Sequence, residues 1–336
     1  MTDQTKPNFD FSRRQLVTGG AALSAYLGMG LPLSAADEAS LVASAKTEGT
    51  GMLYSVIEPT ILQALAKAFG DKYGVKLEFE RLGTGPLSQR YAAEAEAGKI
   101  VADVVMLGDK AFLETANSKG WLSEPQLIPA NLPKGVQDGA LATVALNPES
   151  LAWNTSLVTE RPKSWEILID PKYAKRVSVF DPRNSILGVK WYSLIRKAYG
   201  DDFLRKLAVQ ATFAPSVVPA IQQVAAGAMA MYAPAIHVAV DALKQKGAPI
   251  DEAFFAPATT GAIIAGISKK APHPAIASLL MNFVLTPQGQ SILNKDNFSP
   301  LPNVPGTRTD NPSMSEVTDA AAKAELPQIL QLLNLA

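Results

Sequence analysis

Cysteine is absent from the 336-residue chain, which excludes disulfides, a thiolate nucleophile and any cysteine-ligated metal. Histidine is nearly absent too, with only His237 and His273, in different predicted elements. Two such histidines make no zinc site without carboxylates, and the sequence singles out none. An excess of charge is also missing: 31 basic residues balance 31 acidic ones. A protein built to coat nucleic acid or an anionic membrane needs a net basic surface or stripe, and no such run occurs. The motifs of common enzyme chemistry are lacking as well, with no G-x-S-x-G elbow, S-x-x-K pair, H-E-x-x-H or phosphate loop ending in G-K-[ST]. Gly83-Thr84-Gly85 supplies two glycines of a dinucleotide fingerprint, but Ser88 stands at the third position and the run follows the second strand, not the first.

Long apolar runs are confined to the amino terminus. Ser12-Arg13-Arg14-Gln15-Leu16 precedes a Gly- and Ala-rich stretch to Leu33, and Ser34-Ala35-Ala36 offers small residues for cleavage. This is the pattern of a twin-arginine export signal over residues 1–36. Gly19, Gly20, Gly28, Gly30 and Pro32 weaken the stretch as a membrane anchor. The mature chain is expected to start near Asp37 and to be soluble in the periplasm.

What is present is ordinary globular composition, 47% hydrophobic and 18% charged, in a chain long enough for two cores. From Gly51 to Asp109 the pattern reads strand, helix, strand, helix, strand: Met52 to Ile57, the helix from Pro59, Val75 to Arg81, the helix Leu87 to Ala97, and Ala102 to Leu107. That predicts a parallel α/β layer. Ligands of open parallel sheets bind outside the carboxyl ends of the strands, so the loops at Ser55, Gly83-Thr84-Gly85 and Gly108-Asp109 share one rim. After two strand runs separated by Asn147-Pro148, the alternation resumes: a strand at Arg176 to Phe180, the loop Asp181 to Ser185, a helix carrying Leu187, Trp191, Leu194 and Ile195 on one face, a short strand ending at Tyr232 and a helix from Pro234. Strands at Phe254 to Pro257 and Gly261 to Ile267, an amphipathic helix from Pro274 and two small helices complete the chain.

Two loops stand between a strand end and a helix start, one in each half. At Gly83-Thr84-Gly85 and at Asp181 to Ser185, free backbone N–H groups and hydroxyls can face an anion, or can simply cap a helix over a tight turn.

Leu65-Ala66-Lys67-Ala68-Phe69 through Tyr73-Gly74-Val75, Ala102-Asp103-Val104-Val105, Leu151-Ala152-Trp153-Asn154-Thr155, Asp181-Pro182-Arg183 and Leu285-Thr286-Pro287-Gln288-Gly289-Gln290 follow one another in an order and spacing that resembles the type II solute-binding proteins serving iron(III), thiamine, polyamine and phosphonate importers. The resemblance runs from about Gly51 to Pro305. It implies a two-lobed α/β periplasmic-binding-protein-like fold, each lobe a sheet flanked by helices, with crossing strands near Ala145 to Asn154 and Phe255 to Ile264. Lobe 1 is then 37–148 with 260–336, and lobe 2 is 149–259. It implies a monomer without catalysis or cofactor, which hands its ligand to the membrane permease of an ABC importer. Carried over by position, ligand contacts fall on Ser55, Thr84, Gly85, Asp109, Asn154, Arg183, Asn184, Ser185, Tyr232, Thr259, Thr260 and Gly261. Iron-binding relatives place two adjacent tyrosines near Tyr232; here Tyr232-Ala233-Pro234-Ala235-Ile236-His237 has no such pair, which argues against iron while leaving a site of Tyr232, His237 and an anion open.

The chemistry of these positions points to an anionic ligand, a carboxylate, phosphonate or phosphate ester: hydroxyls and backbone donors at two helix starts, Arg183 from the second lobe, and no acidic or aromatic cage for ammonium groups. Glu58 and Asp109 near the same rim favour a cation or zwitterion if they face the cleft. The alternatives are an iron(III)-binding protein of the same fold and a secreted enzyme using the cleft. Replacing Arg13→Lys and Arg14→Lys together is expected to leave precursor in the cytoplasm by fractionation; export equal to the parent refutes the twin-arginine assignment.

Overall fold

In the computed structural model, residues 35–336 are described apart from 130, 311, 313 and 316. Residues 1–34 of the expected export signal lie outside the described residues. No described helix is long and apolar enough to cross a membrane.

The amino-terminal half alternates strand and helix. α1 (Ala35–Glu48) leads to β1 (Thr50–Ser55), α2 (Pro59–Tyr73), β2 (Lys76–Arg81), α3 (Thr84–Glu96), β3 (Val104–Leu107) and α4 (Lys110–Ser118). β1 lies parallel to both β2 and β3, so the three strands end together at Ser55, Arg81 and Leu107. α2 shows why such elements form. Pro59 pre-sets its first turn, Leu62, Leu65, Phe69 and Tyr73 recur on one buried face, and Gly74 at φ 68° ends it with an N–H bond to the Gly70 carbonyl.

Two short strands, β4 (Leu122–Ser123) and β5 (Gln137–Asp138), interrupt the irregular stretch that follows, and β6 (Leu141–Asn154) comes next. Beyond it lie two 3₁₀ turns at 165–169 and 171–173, then β7 (Val177–Phe180), α5 (Ile186–Tyr199), α6 (Asp201–Gln210), β8 (Ala211–Ala214), α7 (Val217–Ala225), β9 (Met231–Ile236), α8 (His237–Lys244), β10 (Ile250–Ala253), β11 (Thr260–Ser268), α9 (Pro274–Val284), α10 (Pro287–Leu293) and α11 (Asp319–Leu332). The strands run in the order β2-β1-β3-β11-β6-β9-β7-β8, and β6 is the seam. Its first half pairs with β11 in the first lobe; its second half pairs with β9 and β10 in the second.

The chain departs from the periodicity in places, each for a local reason. Asn147-Pro148 reads as a break, yet β6 runs straight through it. The strand changes partners there, so a residue with no N–H costs little ladder pairing. Pro234 reads as a helix start, but β9 continues to Ile236 through a cis Ala233-Pro234 bond, opposite an irregularity in the β6 register between Ser150 and Ala152. β8, a four-residue strand at the edge of the sheet, is too short to show a period. Leu187, placed by its spacing on the buried face of α5, is 58% exposed because it stands in the first turn, above the core. The expected pair of carboxyl-terminal helices is one helix, α11.

Each lobe has its own core. In the first, Phe69, Tyr73 and Phe283 pack edge to face between α2 and α9. Asp103, fully buried, accepts the Met52 N–H at 2.7 Å and the His273 N–H at 2.7 Å, and meets His273 Nδ1 at 2.9 Å, so one carboxylate ties β1 to the start of α9. Burial pushes the Asp103 carboxyl up, against these bonds. His273 is thus a structural partner. In the second core, Trp165 and Trp191 meet edge to face at 5.4 Å beside Leu207. While β11, α9 and α10 pack in the first lobe, α11 buries Ala322, Ile329 and Leu332 in this second core, against α5 and α6. The segment 260–336 is therefore shared between the lobes, because the apolar face of α11 fits the exposed flank of α5.

Gly289 lets α10 turn back onto the end of α9: a side chain there would overlap the Phe283 carbonyl oxygen and stand 2.8 Å from Val284 Cα. Both obstacles are backbone. Gly289→Ala is expected to destabilise the protein by about 1–3 kcal/mol through overpacking, read as a lowered denaturation midpoint; an unchanged midpoint refutes the close approach.

Candidate functional site

Both sheets aim their carboxyl ends at the crossing. β11 runs antiparallel to β3, with Ile264 opposite Leu107, and its first residue, Thr260, pairs with Pro148. On the other side, Ile236 at the end of β9 pairs with Glu149, and β7 is parallel to β9. Pro148 and Glu149 thus mark the line where the strand ends of the two lobes face each other, the place where open α/β sheets bind ligands.

In the first lobe three loops meet. Thr84 and Gly85 form the first turn of α3, not a loop before it, and Gly83 caps the helix without a side chain. Thr84 Oγ1 and the Ala262 carbonyl would lie 3.7 and 3.8 Å from a Cβ on Gly108, so the ends of β2, β3 and the start of β11 converge. Gly261 is exposed at that point, its Cα opposite Asn147. Ser55 is buried, and its hydroxyl accepts the Ile57 N–H at 3.1 Å. Asp109 accepts the Phe112 N–H at 2.9 Å and caps α4. Glu58 is held by Arg81 at 3.1 Å. Each rim carboxylate therefore has one protein donor.

In the second lobe Asp181 organises the loop after β7. Its carboxylate accepts the Arg183 N–H at 3.0 Å, Nε at 3.0 Å and Nη2 at 2.6 Å. Those bonds hold the Asp181 carboxyl below the usual range despite its burial. Arg183 and Asn184 are exposed, and Ser185 caps α5 by accepting the Leu187 N–H at 3.2 Å. The guanidinium is oriented and half-neutralised, with Nη1 left over. Tyr232 is fully buried and its hydroxyl has no hydrogen-bond partner among the described residues. Burial, and then the charge of Glu149, push its pKa up.

One residue does not join the others. Asn154 sits at the far end of β6, five residues from the crossing, where Trp153 pairs with Met231 at the start of β9. It is buried, donates to the Val224 carbonyl at 2.8 Å and accepts the Ser156 N–H at 3.0 Å. It fastens a loop and faces away from the cleft.

The site also contains residues that sequence reasoning passed over. Glu149 is partly exposed at the crossing; its backbone N–H donates to the Thr259 carbonyl at 3.2 Å, and its carboxylate takes a short hydrogen bond from the Thr259 hydroxyl. Burial pushes the Glu149 carboxyl up to about 7, offset in part by Thr259 and Lys190. The available signal was a lone acid in an otherwise apolar run. Among the described residues, no group of three or more histidines or carboxylates is placed to hold a metal ion.

Residues 99–323 match the family described as bacterial extracellular solute-binding protein. An uncharacterised protein of Haemophilus influenzae is 26% identical over 280 residues, covering 76% of this chain and 78% of that protein. The substrate-binding protein of an ABC transporter from Agrobacterium tumefaciens superposes with a TM-score of 0.64 at 14% identity, over 85% of this chain and 94% of that one. Iron-bound HitA from Pseudomonas aeruginosa gives 0.60 at 22% identity, over 85% and 98%. AfuA from Actinobacillus pleuropneumoniae, bound to fructose-6-phosphate, gives 0.58 at 19%, over 86% and 99%. At these identities the structural likeness is one of fold.

Behind the crossing lies a second carboxylate. Glu252 of β10, buried, accepts the Ser150 hydroxyl at 2.9 Å, makes a short hydrogen bond with His237 Nδ1 and meets Arg308 Nη1 at 3.4 Å. Burial pulls the His237 pKa down, but the bond and charge of Glu252 outweigh it and leave it raised above 6.5. A histidine raised on folding contributes stability that is complete below its unfolded pKa and lost as pH rises through the folded one. The denaturation midpoint is expected to fall as pH climbs past about 6.5, and His237→Gln should flatten that part of the profile. Because Glu149, raised to about 7, adds its own decline over the same range, a slope that His237→Gln leaves unchanged refutes the assignment.

Proposed function

Because this chain belongs to the bacterial extracellular solute-binding proteins, type II binding proteins that take up small ligands and deliver them to ABC permeases, we propose that it captures a small anionic solute, a carboxylate, phosphonate or phosphate ester, between its lobes. The observation that carries the reading is the convergence of helix starts from both lobes on one crossing. α3 begins at Thr84 and α5 just after Ser185, and each presents first-turn N–H groups beside hydroxyls. Asp181 fixes the Arg183 guanidinium by Nε and Nη2, leaving Nη1 to a ligand. Engagement of Glu58 by Arg81 and of Asp109 by the α4 backbone supports an anion over a bare cation.

Magnitudes favour two-sided capture. Micromolar affinity needs about 8 kcal/mol net. A hydrogen bond to a charged group contributes roughly 1.5–3 kcal/mol, so donors from one lobe fall short once the lost freedom of the ligand is subtracted. Closure of the lobes on the solute supplies the rest and signals occupancy to the permease. The protein acts in the periplasm as a monomer, reached by the twin-arginine route, and turns nothing over. AfuA, with its sugar phosphate, shows that this fold accommodates a phosphate ester in a relative.

Mass spectrometry of the solute that co-purifies, followed by calorimetric titration of it, tests the reading. Arg183→Ala is expected to weaken binding about tenfold or more, and Thr84→Ala about two- to tenfold, in line with a charged and a neutral hydrogen bond. Bound iron, or a polyamine whose affinity ignores Arg183→Ala, ends the anion reading; detection of a reaction product ends the binding-protein reading.

A further inference from the structure

Glu149 is out of keeping with a purely anion-selective site. It is a carboxyl group on the crossing strand, where the two lobes meet, with no cation in ion-pair contact among the described residues. Lys190 of α5 faces it, but the ammonium is drawn away to Asp319 of α11 at 2.6 Å. Thr259, between β10 and β11, supplies its only side-chain hydrogen bond among the described residues. On β9, Tyr232 feels the charge of Glu149, and its fully buried hydroxyl has no hydrogen-bond partner among the described residues; the neighbouring Tyr192 hydroxyl is committed to the Phe180 carbonyl at 2.7 Å. A carboxylate without an ion-pair partner and an orphaned phenol on the adjacent strand therefore feel each other's charge near where the lobes meet. Protein folding alone gives no reason to keep an ionisable group there, since an amide would keep the Thr259 bond without the cost of ionising a carboxyl in a buried place.

We propose that Glu149 is a specificity-determining residue that reads an ammonium group, so that the solute is a zwitterion whose anionic end meets the helix starts and whose cationic end meets Glu149. This rests on the anion reading above and deepens it. A ligand ammonium supplies the counter-ion that Lys190 withholds. Because Glu149 is held protonated up to about pH 7 by burial, binding of the ammonium ionises it and releases a proton. Preference for the amine therefore strengthens as pH rises through 7.

The test compares ethyl phosphate, phosphoethanolamine and ethanolamine by calorimetry on the full mature protein, wild type and Glu149→Gln, at pH 6 and pH 8. The amide can still accept the Thr259 hydroxyl, so a merely structural role survives the substitution, and equal denaturation midpoints verify that it does. The expected result is phosphoethanolamine binding about tenfold or more tighter than ethyl phosphate, with a larger ratio at pH 8 than at pH 6, and a ratio near one at both pH values in Glu149→Gln. Equal binding of the two phosphates by the wild type, or an amine preference that persists in Glu149→Gln, overturns the role of Glu149 and leaves the anion reading standing. Ethanolamine binding as tightly as phosphoethanolamine while ethyl phosphate is silent overturns the zwitterion through its anionic half. Failure of all three to bind overturns the proposal for phosphate esters.

Discussion

The architecture depends on one constraint: two strands must leave one sheet and enter another without losing their hydrogen bonds. β6 does this by trading β11 for β9 and β10 at Pro148-Glu149. The returning segment does it at Thr259, whose carbonyl and hydroxyl both bond to Glu149. Side-chain bonds reinforce the ladder at this seam: Glu149 takes the Thr259 hydroxyl on one side, and Glu252 joins Ser150 to His237 on the other. Because each lobe keeps its own core, relative motion of the lobes concentrates where these few bonds sit.

The same seam decides the electrostatics of the cleft. Nearly every charge near it already has a partner: Glu58 with Arg81, Arg183 with Asp181, Lys190 with Asp319. Exposed pairs of this kind add little stability, but they fix side chains in place and cancel long-range fields. The directed groups left over near the seam are first-turn N–H groups, one Arg183 nitrogen and the Glu149 carboxyl, in a chain of formal charge zero.

The sequence by itself determined the alternating strands and helices of both lobes and the place of the cleft. Apolar periodicity, Pro59 and Gly74 at the ends of α2, and strand-to-helix loops are local signals that need no tertiary partner. It also placed Thr84, Gly85, Arg183, Asn184 and Ser185 at strand ends, since parallel topology fixes which ends share a rim. Tertiary structure alone decided the rest. Asn154 lies five residues from Glu149 in one strand, roughly 16 Å along it, and only the pairing of Trp153 with Met231 reveals that it stands at the wrong end. Whether Asp109 faces a ligand or its own helix depends on one side-chain bond to Phe112. Glu149 becomes conspicuous only when Thr259, 110 residues later, closes over it and Asp319 removes Lys190. Long-range contacts of this kind leave no periodic trace in a chain, because they are made by single residues whose partners are chosen by the fold.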